Sequence, residues 1–263
     1  LRPSPVDGDA FDDYTTWTGS VIRHEGLWHL FYTGGTRAEK GLVQRIGLAT
    51  STDLVHWTKH PANPLIVADP RWYELLDLDL WHDQAWRDPW VLRHPDEGDF
   101  HAFITARVNH GPPDGRGVIA HARSDDLIHW EVLPPVTEPG DFGHMEVPQL
   151  VEIKGRYHLL FSAQASVHSA RWRQRTGLEP LTGIHYLVAE EPLGPFRLSA
   201  GQLLAADVVG SLYAGKLVLN PENEWVMLAA RMFAPDGSFV GTLSDPLPIT
   251  LDRAGELTLE QPL

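Results

Sequence analysis

Ser51-Thr52-Asp53-Leu54-Val55-His56-Trp57 returns 73 residues later as Ser124-Asp125-Asp126-Leu127-Ile128-His129-Trp130. An echo of this length with a shared terminal Trp marks an internal repeat, and a repeat governs how the rest of the chain is divided. A weaker third copy runs from Ala189 to Phe196, where an aromatic residue again ends the turn and opens the next strand. Each copy follows an apolar run that opens near glycine: Ile46 to Thr50, Gly117 to Ala122, and Gly183 to Val188. Ahead of each of those lies another strand with an aromatic near its start, in Leu27 to Tyr32, Phe100 to Ile104 and Arg156 to Phe161. Glu224 to Leu228 supplies a fourth.

The turns between these runs draw on 23 Gly and 21 Pro, and no segment carries a long helical stripe, so the pattern reads as many short strands and not as βαβ units. Four units follow, near residues 17–70, 86–135, 146–205 and 207–255. A unit of about 55 to 75 residues with roughly four strands fits a blade of a β-propeller, whose innermost strands ring a channel. The expected class is therefore all-β. A two-sheet sandwich is the competing architecture, but its strands need no repeat of this length. No linker interrupts the pattern, so one domain over 1–263 is expected, with the insert from Asp69 to Gln84 as a loop over one mouth of the channel.

Composition narrows the partners. The chain carries 21 Lys and Arg against 35 Asp and Glu, a formal charge of −14, which repels phosphate backbones and anionic lipid surfaces. Neither nucleic acid nor a membrane is an expected partner, and no apolar run approaches the roughly 18 to 20 residues of a spanning helix. Cysteine is absent, so there is no thiolate nucleophile and no Cys-based zinc site. The chain opens Leu1-Arg2-Pro3 without a visible secretory leader, from which a cytoplasmic location is the expectation. His56 and His60 stand four apart, but in turn or strand, so they do not share a helix face as zinc ligands. No metal and no cofactor are expected, since no glycine-rich phosphate loop follows a strand.

If each unit starts with an innermost strand, the starts line the channel, and two of them carry acids. The first reads Trp86-Arg87-Asp88-Pro89-Trp90, the second His144-Met145-Glu146-Val147-Pro148. A carboxylate entering an apolar strand is costly unless paired or functional, and Arg87 offers Asp88 either a charge partner or a fork for a sugar hydroxyl. Asp before Pro is by default a turn former, and an aromatic in a strand is by default core. The joint placement of the acids beside aromatics favours function: glycoside hydrolysis needs one acid to protonate the leaving oxygen and others to attack or to bind ring hydroxyls. Trp17, Trp86 and Trp90 are candidate platforms for a sugar face.

The order Trp17-Thr18-Gly19-Ser20, Leu30-Phe31-Tyr32-Thr33-Gly34, Ser51 to Lys59, Asn63-Pro64, Arg87-Asp88-Pro89 and Glu146-Val147-Pro148 resembles glycoside hydrolase family 32, the invertase, inulinase and levanase group. The resemblance covers residues 15–165 well and thins thereafter, although Gly210-Ser211-Leu212-Tyr213-Ala214 stands where the last blade of such enzymes often has a Tyr-Ala step. It implies a five-bladed propeller of the furanosidase type, of which four blades are visible. It further implies that Asp88 is the transition-state stabiliser, Arg87 a substrate ligand, and Glu146 the general acid/base, with Val147 standing where the family has Cys. Trp17, Trp86, His144 and Tyr213 complete the expected substrate-binding set.

The resemblance also implies an attacking Asp in an Asn-Asp-Pro-Asn-like motif ahead of Trp17, and no such motif is present. Asp12 and Asp13 lie near the first blade without matching neighbours. The expectation is a divergent member whose first blade is missing from this sequence, so that the chain by itself is a weak catalyst or none, while the parent is a retaining β-fructofuranosidase-like enzyme acting on a carbohydrate. A non-catalytic carbohydrate-binding propeller and an arabinofuranosidase-type enzyme of the same superfamily remain as alternatives.

Overall fold

The computed structural model describes residues 1–5 and 10–259, the side chains of 199–202 excepted. The chain divides into two compact units, Leu1–His144 and Met145–Leu263. The expected single domain over 1–263 takes in residues 6–9 and 260–263, which lie outside the described residues.

Each unit holds two antiparallel sheets built in chain order. In the first unit, β1 (Thr15–His24), β2 (Leu27–Gly35), β3 (Gln44–Ser51) and β4 (Thr58–Lys59) form one sheet. The second is formed by β5 (Trp86–Arg93), β6 (Phe100–Arg107), β7 (Gly117–Ser124) and β8 (Glu131–Leu133). In the second unit, β9 (Glu146–Ile153), β10 (Arg156–Ala163), β11 (Thr182–Ala189) and β12 (Arg197–Asp207) make the third sheet, with a 3-10 turn at Ala165–Val167 and the short helix α1 (Ala170–Thr176) between β10 and β11. The fourth runs β13 (Leu212–Leu219), β14 (Trp225–Phe233), β16 (Leu247–Leu251) and β17 (Leu257–Leu259), with β15 (Phe239–Leu243) also paired to β14. The class is all-β, and the four antiparallel sheets, three of four strands and one of five, are the blades that the repeat predicted.

The quoted repeat is a self-contained turn. Ser51 Oγ accepts the N–H groups of Asp53 and Leu54 at 3.1 and 2.9 Å, and Asp53 Oδ1 accepts those of Val55 and His56 at 2.8 Å each. The His56 ring meets Asp53 Oδ2 at 2.7 Å, and the Trp57 indole donates back to the Leu54 carbonyl. Ser124, Asp126, Leu127, His129 and Trp130 repeat every one of these bonds. Asx and Ser turns of this kind supply the acceptors that a tight reversal takes away from the ladder. The third copy replaces this apparatus with the turn Pro192-Leu193-Gly194-Pro195, which makes it the fainter echo.

Apolar side chains between the paired sheets make a core in each unit. In the first, Phe31, Ile46, Leu48, Tyr73, Trp86 and Ile104 are buried together; in the second, Leu160, Ile184, Tyr186, Leu217 and Met227. β6 is buried at every position, as a central strand covered on both faces must be.

The first strand of each sheet is broken by a bulge. Pairing slips between Thr16 and Gly19, between Arg87 and Trp90, opposite Ser162 near Glu146, and between Tyr213 and Lys216. Asp88, Val147 and Ala214 take up the extra residue in the left-handed region, with φ of 58°, 53° and 53°. In the first blade the slip ends on Gly19, where a Cβ would lie 1.9 Å from the Phe31 carbonyl oxygen, so no larger residue fits.

A histidine pair is buried in the second blade. One ring nitrogen of His121 bonds to His101 at 2.7 Å, and His101 meets Asp99, which also accepts from Arg123 Nε at 2.5 Å; His94 packs against the His101 ring. Burial, followed by the neighbouring His101, pulls the His121 pKa down to about 4 against a small opposing pull from Asp99. The unfolded chain therefore binds a proton between pH 6.5 and 4 that the folded chain refuses, and stability is lost as pH falls through that window, by on the order of 3 kcal/mol. Urea midpoints measured from pH 7 to 4.5 should drop accordingly, and His121→Gln should flatten the slope; an unaltered slope would assign the loss to other groups.

Candidate active site

Of the residues expected to act, Trp17, Trp86, Arg87, Asp88 and His144 belong to the first unit and Glu146 and Tyr213 to the second. Within the first unit the bulge of β5 carries Asp88, only 6% exposed, at the head of an apolar strand. Its Oδ1 accepts from Thr18 Oγ1 on the bulge of β1, and its Oδ2 from Thr105 Oγ1 on β6 at 3.0 Å. Its own N–H donates to Thr33 Oγ1 on β2 at 3.0 Å. Three threonines on three strands thus fix both the backbone and the carboxylate. Trp17, next to Thr18 in the chain, is 47% exposed.

Arg87 is fixed from the other side. Its Nη1 donates to Gln44 Oε1 and to Asp83 Oδ2, each at 3.0 Å, while Nε stands 3.8 Å from Asp88 Oδ2. Gln44 Nε2 in turn donates to Asp83 Oδ2 at 2.8 Å, closing a buried network that orients a planar guanidinium beside the acid.

Trp86 departs from the sequence reading. It is 0% exposed, its indole donates to the Ile66 carbonyl at 3.2 Å, and its ring packs edge-on against Tyr73. Strand alternation turns it away from the face that Arg87 uses, so it is core beneath the arginine and offers no platform to a sugar. Trp90 is half-buried on the same strand. His144 is also buried, with Trp81 edge-on to it at 5.8 Å between ring centres.

The insert from Asp69 to Gln84 is pinned more firmly than a loop over a channel mouth requires. Tyr73 is in the core and donates to the Leu133 carbonyl, while Glu74 accepts from Arg107 Nε at 2.8 Å and from Arg116 Nη1 at 2.5 Å. The Arg107 guanidinium also lies 3.8 Å over Trp81, a cation–π contact that ties the far end of the insert to the same cluster. Asp12 is engaged as well, by the Tyr32 hydroxyl and Lys59 Nζ, and Asp13 accepts the Arg37 N–H.

In the second unit Glu146 opens β9, one residue before the left-handed Val147, and its Oε2 accepts from the Tyr213 hydroxyl at 2.6 Å. Tyr213 occupies the matching position, one residue before the left-handed Ala214 of β13. Ser162 Oγ on β10 accepts the Ala214 N–H at 2.9 Å, as Thr33 accepts that of Asp88. A carboxyl group held by a phenol, and a carboxylate held by two hydroxyls beside an arginine, are the kinds of group that acid/base work and hydroxyl recognition use.

Sequence reasoning passed over Thr18, Thr33, Thr105 and Ser162. A signal existed: Thr33, Thr105 and Ser162 each stand near the end of the second strand of a blade, and each pairs with an isoleucine of the third. Among the described residues one group has metal-ligand spacing, His94, Glu97 and Asp99, whose ligand atoms lie within 4.8 Å of one another on the second blade. Asp99 there is already taken by Arg123 and His101.

An all-β chain of propeller blades with carboxylates at the strand heads defines the class. The particular family follows from comparison: residues 4–238 match the model of the glycosyl hydrolases family 32 N-terminal domain, and the chain belongs to that family. It is 30% identical over 280 residues to the sucrose-6-phosphate hydrolase of Bacillus subtilis (strain 168), covering 100% of this chain and 52% of that protein. The chain thus spans about half the length of this relative. Among solved structures, the inulosucrase of Halalkalicoccus jeotgali bound to kestose superposes with a TM-score of 0.75 at 20% identity, covering 98% of this chain and 72% of that one. A family 32 beta-fructofuranosidase of Bombyx mori gives 0.66 at 21%, covering 94% and 50%. These likenesses show the fold, a β-propeller of the furanosidase type.

Replacing Thr105 by Val removes one of two hydroxyl donors from a buried carboxylate. Unfolding by urea should report a loss of about 1.5–3 kcal/mol, with Thr105→Ser close to wild type. Equal losses in the two variants would mean that packing, not the hydroxyl, is what matters.

Proposed function

We propose that this chain is the larger part of the catalytic domain of a retaining β-fructofuranosidase-like glycosidase, whose substrate is a fructoside of the sucrose type. Glu146 protonates the glycosidic oxygen as the bond to the anomeric carbon breaks, and returns as base to activate water in the second step. Asp88 holds ring hydroxyls as positive charge develops at that carbon, with Arg87 as a second ligand and Trp17 against the apolar face of the sugar. Tyr213 orients Glu146. The attacking carboxylate is not assigned to any residue of this sequence.

The observation that carries this reading is the repeated bulge: one blade has its acid on the left-handed residue, another has it one place earlier, and both are held by hydroxyl donors. A strained backbone is retained where the surroundings over-determine it, and such strain concentrates at functional sites. Family membership and the name of the Bacillus subtilis relative support the same substrate type.

Release of reducing sugar from sucrose, inulin and levan by the native full-length protein tests the reading. Glu146→Gln and Asp88→Asn are each expected to lower kcat by about 100- to 10,000-fold with the fold intact by circular dichroism. Unchanged turnover in Glu146→Gln would remove that residue from the mechanism. Sugar binding with no turnover in the wild type would favour the carbohydrate-binding alternative, and preference for arabinofuranosides would move the enzyme to its sister class.

A further inference from the structure

The antiparallel order of the second unit gathers six strand termini at the end where Glu146 lies: the starts of β9, β11 and β13 and the ends of β10, β12 and β14. A cavity of about 390 Å³ opens among them, bounded by Gln164, Ser166, Thr182, Tyr213, Met232 and Phe233. Its volume is at the lower end for small-molecule pockets, a size for one sugar ring and not for a chain. Tyr213 joins it to the acid, since the same residue that walls the cavity donates to Glu146 at 2.6 Å.

The walls are held from behind. Thr182 Oγ1 accepts the Ala165 N–H at 2.9 Å, and Asp207 Oδ1 accepts those of Gly210 and Ser211, closing the turn that leads into β13. Gly210 approaches so closely that a Cβ there would sit 2.8 Å from the Thr182 methyl. Burial pushes the Asp207 carboxyl up, but the bonds from Ser211, Gly210 and Val209 outweigh it and hold the group below the usual carboxylate range, so an anion is fixed behind this wall.

The lining chemistry is two hydroxyls, a primary amide, a phenol ring and four apolar side chains, with no Lys, Arg or His among the described lining residues. Two cations near this end are committed elsewhere. Lys216 Nζ donates to the carbonyls of Val147 and Pro148 at 3.1 and 2.8 Å, and Arg173 Nε donates to the His168 carbonyl at 3.3 Å. A phosphate ester entering the cavity would meet no cation among its described lining residues, in a chain of net charge −14.

We infer that this cavity receives the leaving group of the fructoside and selects an uncharged sugar over a phosphorylated one. Phe233 and Met232 cover an apolar face of the ring, while Gln164, Ser166 and Thr182 reach its hydroxyls. The inference rests on the proposed glycosidase reading and specifies the half of the substrate that Glu146 releases.

Titration calorimetry of the chain with sucrose and with sucrose 6-phosphate, whose phosphate sits on the departing glucose, tests it. Sucrose is expected to bind at least tenfold more tightly. Phe233→Ala should weaken sucrose about tenfold, and Ser166→Arg, at an exposed rim position, should tighten the phosphate ester about tenfold in a salt-sensitive manner and reverse the preference between the two sugars. Equal or tighter binding of the phosphate ester by the wild type, or indifference of both sugars to both substitutions, overturns the cavity assignment and leaves the glycosidase reading standing. Binding of neither sugar by the wild type sinks the glycosidase reading and this inference with it.

Discussion

The site depends on one recurrent hydrogen bond, from the N–H of a left-handed bulge residue to a hydroxyl on the second strand of the preceding blade. Thr33 takes it from Asp88, and Ser162 takes it from Ala214. Three residues further on the blades are tied again: Ser20 accepts the Val91 N–H, and Gln149 both accepts from Leu217 N and donates to Leu217 O. A bulge removes a backbone donor from its ladder, and a buried donor without an acceptor costs more than the bond it could make. The hydroxyl resolves that cost only in the bulged conformation, so the same contact that joins two sheets also fixes the irregular backbone. Residues at and just before the bulge are therefore aimed by packing across the whole blade, and not by their own rotamer preferences.

Most of the fold was legible because its punctuation is local. The turn around Asp53 and its copy around Asp126 close their hydrogen bonds within six residues, so their sequence is their structure. Strand heads at Trp86 and Glu146 could be placed from aromatics and prolines alone. What stayed hidden is what depends on distant partners: Arg87 meets Gln44 across 43 residues, and Tyr213 reaches Glu146 across 67. Trp86 was misread for a related reason. Alternation decides which of two neighbouring residues faces the core, and the bulge that begins one residue later obscures that alternation in the sequence. The threonine and serine column was visible as a repeat, but hydroxyls among apolar strands carry no charge to draw attention to them.

The insert shows how buried ions serve geometry more than stability. Glu74 between Arg107 and Arg116 is desolvated, and the net gain of such a triad over an apolar cluster is small or negative. Its directional bonds nevertheless place Trp81 over Arg107, and Arg107 Nη1 on the Gly143 carbonyl, immediately before His144. Asp83 leaves the same insert to hold Arg87. A long connection that loses this much freedom is a support for the strand heads, and its acids are spent on orientation.

Val147 is the point where the sequence strains most against its structure. Asp tolerates the left-handed region because a short polar side chain can bond locally, and Ala pays little beyond its Cβ, but a β-branched residue there is an outlier worth about 1–3 kcal/mol. The surroundings of Val147 supply the counterweight: Lys216 Nζ bonds the carbonyls of Val147 and Pro148, and Gln149 clasps both backbone groups of Leu217. Relaxing Val147 to an extended conformation would break the bulge and, by the period of two, rotate Glu146 off the face on which Tyr213 meets it. The strain and the lysine that opposes it therefore act together on the direction of one carboxyl group, which makes the residue after Glu146, chemically inert though it is, part of what aims that group.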